Sequence, residues 1–248
     1  MISFFKSQVR KFKYNSEKDK KLKFRKNDIE FFYVKNLREF GISIDKDHFK
    51  NNIISKKIIN QFDNIPSYQL QKIIDHNKDI KDTKSYKQTI TKFFNKDDLY
   101  EFANQEKLIS EVSQYFGFKP HIRYISVWVD FPLTNNEPTW SQLFHRDSDD
   151  YYLIKVFFYL NDVDDLNGPF QYLKGTHVES WKEFNLQKLD LLSKNNLESA
   201  TGKKGTLILC DTNGYHRGLV PTTGYRSLLT VNYVSSKPKN GFLEDIFD

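Results

Sequence analysis

The sequence predicts an α+β chain, with helices first and a closed or double-layered antiparallel sheet second. Two observations carry this. Before Gly117 the apolar residues recur at helical spacing, as in Ile53, Ile54, Ile58 and Phe62, or in Leu99, Phe102, Leu108, Ile109, Val112 and Tyr115. From His121 onward the period changes to two, in short runs punctuated by glycine and proline. Helices first and strands second suggest an α+β chain with antiparallel layers.

The chain has 248 residues, 38% apolar and 16% aromatic, enough for one sizeable core built on Phe and Tyr. We expect a basic arm over 1–26 and a single domain over 27–248, with its sheet core at about 120–236. No apolar run approaches the roughly 18 residues needed to span a bilayer. Met1-Ile-Ser-Phe-Phe is too short an apolar segment for a signal peptide. The one cysteine, Cys210, leaves no internal disulfide and fits a reducing, cytoplasmic setting.

The net charge is +6, but residues 1–40 hold twelve Lys/Arg against five Asp/Glu, so the remainder sums to −1. Such an arm can meet nucleic acid or an acidic surface. Its basic residues are interleaved with acids and no aromatic platform accompanies them, so a solvated Lys-rich arm is the reading preferred.

Taken in order, residues 27–40 form a helix ended by Gly41. Ile42-Ser-Ile44 is a short strand, and 51–62 a second helix. Residues 63–95 are polar, are broken by Pro66, and read as loops with one or two short pieces of structure. Residues 97–116 read as one helix, closed by Gly117 and Pro120. Strands follow at 121–130, 152–161, 170–173, 205–211 and 225–234. A turn cluster occupies 164–169, a helical insert with Trp181, Phe184, Leu189 and Leu192 occupies 178–199, and 212–218 is a tight loop.

The chemistry starts at Gln142-Leu-Phe-His145-Arg-Asp147. Residues two apart on an extended backbone share a face, so His145 and Asp147 present an imidazole and a carboxylate side by side. These are two of the three ligands of a 2-His-1-carboxylate iron site. His216, flanked by Gly214 and Gly218, is the candidate third; His121 and His177 compete for the role. Arg226, Leu228, Thr230, Asn232 and Val234 share one face of the last strand. If that face looks inward, an anion should meet Arg226, because an unpaired buried guanidinium is costly; a dicarboxylate is one such anion. If it looks outward, Arg226 is a surface charge. On 152–161, Ile154, Val156, Phe158 and Leu160 form an apolar face for helices to cover. Lys155, Phe157 and Tyr159 form the other, either a ligand cavity or a solvated lysine lying on Tyr159.

The ordered set Gln142-x-x-His145-x-Asp147, Lys155-Val-Phe-Phe-Tyr-Leu-Asn-Asp-Val, Asn167-Gly-Pro-Phe, Gly175-Thr-His177, then 205–218 with His216, then Arg226, resembles the phytanoyl-CoA dioxygenase family of Fe(II)/2-oxoglutarate oxygenases. The resemblance covers about residues 120–236. It implies a double-stranded β-helix, that is, a cupin-like jelly roll, carrying the N-terminal and inserted helices. It implies Fe(II) on His145, Asp147 and His216, and Arg226 on the distal carboxylate of 2-oxoglutarate. Lys155, Phe157 and Gln142 would line the cofactor and substrate side. Many relatives carry Ser or Thr two residues after the arginine; Leu228 stands here, and Thr230 is the candidate substitute.

The implied reaction oxidises an unactivated C–H of a small metabolite while 2-oxoglutarate and O₂ become succinate and CO₂. A carboxylate at 147, where related halogenases carry a small residue, points to hydroxylation or another oxidation. Asp149 and Asp150 beside it can meet a cationic or hydroxyl-rich substrate or be a solvated rim. Two other readings stay open: a protein or nucleic-acid oxygenase of the same fold, and a metal-binding jelly roll without activity.

Overall fold

The structure is a computed structural model, and it describes residues 32–48, 52–78, 87–132, 138, 140–179 and 194–237. The expected basic arm, most of the 178–199 insert with Trp181, and most of the loop after Pro132 lie outside the described residues.

Helices lead and strands follow. Helix α1 (Phe32–Phe40) stops at Gly41, whose φ of 79° is open to glycine and strained for other residues. Strand β1 (Ile42–Asp45) follows, then α2 (Ile53–Asp63), capped by the Asn52 side chain accepting from Ser55 N–H. The polar stretch expected to be loop contains a full helix, α3 (Ser67–Lys78), and a short strand, β2 (Lys87–Thr89). Pro66 launches α3 instead of breaking it: it precedes the first helical residue, and its carbonyl accepts from Gln69 and Leu70. The single helix expected over 97–116 is two, α4 (Lys96–Ala103) and α5 (Glu106–Phe116). Asn104 and Gln105 divide them by turning their side-chain amides onto the carbonyls of Tyr100 and Phe102.

The strands form two antiparallel sheets. The large sheet runs β1-β7-β4-β9-β3-β2, with β3 at His121–Asp130, β4 at Leu153–Tyr159, β7 at Leu207–Cys210 and β9 at Arg226–Val234. The small sheet runs β6-β5-β8, with β5 at Phe170–Leu173, β6 at Leu197–Ala200 and β8 at His216–Gly218. Among the described residues this is a jelly-roll sandwich of two layers that does not close into a barrel. Two local expectations are corrected here. The 178–199 insert ends in strand β6, because Leu197–Ala200 pairs along β5. The loop expected over 212–218 ends in strand β8, because Tyr172 and His216 pair.

The period-two pattern sorts the strand residues onto two cores. Ile125, Val127, Ile154, Val156, Phe158, Leu207, Leu209, Leu229, Val231 and Tyr233 face outward from the large sheet, against α1, α2, α4 and α5 through Leu37, Ile58, Leu99, Phe102 and Val112. This outer face excludes water from one side of the sheet and fixes the register of every strand. The inner face, between the sheets, holds Tyr159, Phe170, Tyr172, Ile208, Cys210 and Leu228, with Trp128 and Phe157 against them. Lys155 and Arg226 therefore both point inward.

Candidate metal centre

His145 and His216 stand opposite each other as an isolated antiparallel bridge, each N–H donating to the other's carbonyl at 3.0 Å. The bridge adds the His145 backbone to the open edge of β8. Asp147 N–H donates to the Thr212 carbonyl at 2.8 Å, tying the next residues to the turn that leads into β8. Arg146, between the two candidate ligands, points the other way. It donates to the carbonyls of Asn213 and Glu179 and lies 5.1 Å over the Tyr215 ring. The same-face placement of His145 and Asp147 is thus held from behind by their shared neighbour.

The turn before His216 is buried and over-determined. The Asp211 carboxylate accepts from the Tyr115 hydroxyl at 2.7 Å and from Asn213 N–H and Nδ2 at 3.1 and 3.0 Å. Gly214 lies so close to the Tyr172 hydroxyl that a Cβ would collide with it. Reasoning from the sequence missed this support, although Asp-x-Asn-Gly is a recognisable turn signal.

Nδ1 of His145 lies 2.9 Å from the Leu143 carbonyl, and Nδ1 of His216 lies 2.9 Å from the Gly214 carbonyl. A carbonyl only accepts, so each Nδ1 carries the proton and each Nε2 keeps its lone pair. Those lone pairs converge on a carboxylate: His145 Nε2 is 3.8 Å from Asp147 Oδ1, and His216 Nε2 is 3.6 Å from Asp147 Oδ2. One donor atom from each residue lies within 4.8 Å of the others. Three lone-pair donors aimed at one point fit a divalent cation, and the histidine–carbonyl bonds are the outer support that metal-binding imidazoles use. Burial pushes the His216 imidazole down to about 3, which keeps it a neutral donor.

Lys155 Nζ lies 2.6 Å from Asp147 Oδ2. Burial alone raises the Asp147 carboxyl, but the Lys155 ammonium and then His216 hold it well below the usual carboxylate range. Burial likewise disfavours the lysine's charge, and Tyr124 and Asp147 more than restore it. Arg226 is 5% exposed and meets Asp130, with Nε at 3.2 Å and Nη2 at 2.7 Å from Oδ2, while Nη1 donates to the Gly168 carbonyl. The inward reading of Arg226 is the observed one, and the anion against it is Asp130. That residue was not singled out from the sequence, although Asp130 ends a strand whose alternation places it inside.

Of the other candidates, Phe157 faces inward with its ring 4.9 Å from Phe170. Gln142 is buried in the turn Trp140–Gln142 ahead of His145. Thr230 is inward and 2% exposed. His121 begins β3 in an exposed position. His177 is buried with Nε2 3.2 Å from the Arg38 carbonyl and its ring against Gly41, away from the metal donors. Asp150 is committed to the fold, accepting from Ser235 Oγ at 2.6 Å and Ser236 N–H at 2.8 Å. Asp149 pairs with Arg123 at 3.7 Å on the surface.

No protein-family model matches the chain, and no curated protein does. Solved structures do. SnoK, a non-heme α-ketoglutarate-dependent carbocyclase from nogalamycin biosynthesis, is 12% identical with a TM-score of 0.60 over 86% of this chain and 88% of that one. EctD from S. alaskensis, solved with 2-oxoglutarate and 5-hydroxyectoine, is 15% identical with a TM-score of 0.58 over 87% and 83%. HygX from Streptomyces hygroscopicus, solved with nickel, 2-oxoglutarate and hygromycin B, is 13% identical with a TM-score of 0.54 over 86% and 88%. At these identities the likeness is one of fold: the chain shares the jelly roll of these three proteins.

Proposed function

We propose that this protein is an Fe(II)/2-oxoglutarate-dependent oxygenase, of the phytanoyl-CoA dioxygenase kind, that hydroxylates or otherwise oxidises a small molecule. The observation that carries the reading is the convergence of two carbonyl-anchored imidazoles and one carboxylate on the inner side of this fold. His145, Asp147 and His216 would hold the metal. When bound, Fe(II) with 2-oxoglutarate and O₂ supplies the oxidising equivalents that attack an unactivated C–H, leaving succinate and CO₂.

The chain's own residues hold and orient. Arg226 has five N–H donors, and Asp130 and Gly168 take three of them. The remaining donors can receive the distal carboxylate of 2-oxoglutarate. Asp130 fixes the guanidinium from its Nε side. The inner aromatics Phe157, Phe170 and Tyr172 keep bulk water from that end of the sandwich. Lys155 holds Asp147 ionised. Thr230 faces the same space from β9, and Gln142 lies just ahead of His145; both are proposed to line the co-substrate side. A carboxylate at position 147 favours oxygen transfer over halide transfer.

The test is 2-oxoglutarate consumption under air with Fe(II) and ascorbate across a metabolite panel, with Asp147→Ala as control. Wild type should form succinate and the variant should lose at least two orders of magnitude of it. Equal consumption by both proteins sinks the reading.

A further inference from the structure

Three buried polar side chains on the inner face of the large sheet make no hydrogen bond within the described residues. Asn232 is fully buried, and both its Oδ1 and its Nδ2 lack a partner. Ser126 and Thr230 are each 2% exposed, and their hydroxyl oxygens lack partners too. The three are neighbours. Thr230 pairs in register with Ser126 across β9 and β3, and Asn232 sits between Tyr124 on β3 and Lys155 on β4.

Nothing in the strands themselves calls for polar residues here. The outer face of the same segments is Ile125, Val127, Val231 and Tyr233, all apolar-packed. Elsewhere the inner face is apolar where the small sheet covers it, at Tyr159 and Leu228 against Phe170 and Tyr172. Asn232 lies beyond that cover, in the row of Lys155, whose ammonium reaches Asp147, and Thr230 and Ser126 are one row closer to it, in the row of Phe157. Buried amides are almost always satisfied, and an unmet one is costly. An amide kept there with both ends open points to a ligand that meets it.

2-Oxoglutarate does not meet it. Its carboxylates and keto oxygen only accept, whereas the carbonyl end of Asn232 needs a donor. Both ends lack partners, so this holds whichever way the amide is drawn. Charge discriminates as well. Lys155 is balanced by Asp147 and Arg226 by Asp130, so this wall presents dipoles and no free charge. The hydroxyls of Ser126 and Thr230 can serve either molecule; Asn232 decides.

We propose that Asn232, with the Ser126 hydroxyl near it, is the recognition wall for the primary substrate, and that Thr230 stands between this wall and the co-substrate side. The part of the substrate lying on it is uncharged and carries adjacent hydrogen-bond donors and acceptors, as a polyhydroxylated or amide-bearing ring does. The identity of this molecule as the one oxidised rests on the oxygenase reading above; the wall itself does not.

The experiment compares the full-length wild type with Asn232→Leu, which keeps the branched heavy-atom skeleton and removes both polar ends. In ligand-free thermal unfolding, Asn232→Leu should melt at the same temperature or about 2–4 °C higher, because the amide has no protein partner to lose. A drop of that size shows that the amide serves the fold and overturns the proposal. In the second arm, myo-inositol, glucose and N-acetylglucosamine are the neutral probes and glutarate the anionic control, each at millimolar concentration. At least one neutral probe should raise the melting temperature of wild type and leave Asn232→Leu unmoved, while glutarate acts on both alike. No neutral protection of wild type, or equal protection of both proteins, overturns the assigned class. N-acetylglucosamine against the two polyols separates amide from hydroxyl recognition. In the third arm, 2-oxoglutarate binding is read by the charge-transfer absorbance of its Fe(II) complex. It should be equal in the two proteins, and its selective loss in Asn232→Leu would make Asn232 a co-substrate contact instead. If neither protein binds 2-oxoglutarate while the neutral probes still discriminate, the oxygenase reading fails and the wall stands.

Discussion

Lys155 places its ammonium 2.6 Å from Asp147 Oδ2, on a carboxylate that also faces two imidazole lone pairs. The lysine supplies positive charge beside the three candidate ligands, where a bound metal would supply it. Lys155→Met should therefore destabilise the metal-free protein by about 3–5 kcal/mol, the range for leaving one member of a buried pair unmatched. Saturating Ni(II) or Mn(II) should recover most of that loss, and the variant should bind the metal at least as tightly as wild type. Thermal unfolding with and without metal checks it. Weaker metal binding by the variant would mean that the lysine helps hold the metal.

Asp130 shares Arg226 with the proposed co-substrate. Asp130→Asn keeps the shape and removes the competing charge, so the 2-oxoglutarate KM should fall, by about tenfold if one unit of opposing charge is worth about 1.4 kcal/mol there. Gly218 gives a second handle on the same guanidinium, because a Cβ at this position would sit 2.7 Å from Arg226 Nη2. Gly218→Ala should raise that KM while leaving metal affinity unchanged. Steady-state kinetics and metal titration separate the two effects, and unchanged KM in both variants would leave Arg226 a purely structural residue.

Gly214 lends its carbonyl to His216 Nδ1 and leaves no room for a Cβ beside the Tyr172 hydroxyl. Gly214→Ala must move the turn that aims His216. A 10–100-fold loss of metal affinity is expected, the usual effect of disturbing an outer support of a ligand. Isothermal titration with Ni(II) measures it; full affinity would show that the turn accommodates the methyl.

Acid should unfold the metal-free protein in a defined window. Burial lowers His48 to about 4, and burial lowers His216 to about 3, while unfolded imidazoles titrate near 6.5. Below pH 6.5 the unfolded chain takes up protons that the folded chain refuses. Stability is thus complete above that pH and falls as pH decreases toward 4, by up to about 1.4 kcal/mol per pH unit for each histidine. His48→Leu, in a pocket against Phe158, should flatten this slope by one histidine's share. Melting temperatures of both proteins from pH 7 to 4.5, in a chelator, decide it; parallel slopes would mean that folded His48 is charged.

Local alternation carried much of the fold. The apolar face of β4, with Ile154, Val156 and Phe158, could be assigned to helices because two-residue periodicity leaves one choice of side. The same rule placed Lys155 and Arg226 on shared faces but left open whether those faces look inward. Polar segments were harder. α3 carries few apolar residues and lay hidden in a stretch that reads as loop. β6 and β8 are four and three residues long, and exist because β5 offers each a hydrogen-bonding edge.

The sequence by itself determined the alternation of the strands, the shared face of His145 and Asp147, and the supply of a second histidine and an arginine downstream. Only the tertiary structure decided that His145 and His216, seventy-one positions apart in the numbering, exchange backbone hydrogen bonds. It alone matched Lys155 to Asp147 and Asp130 to Arg226, and left the Asn232 side chain without a hydrogen-bond partner among the described residues. The physical reason is that spacing fixes which way a side chain points from its own strand. What it points at is fixed by register between strands distant in sequence, and that register is set by the packing of the whole sandwich.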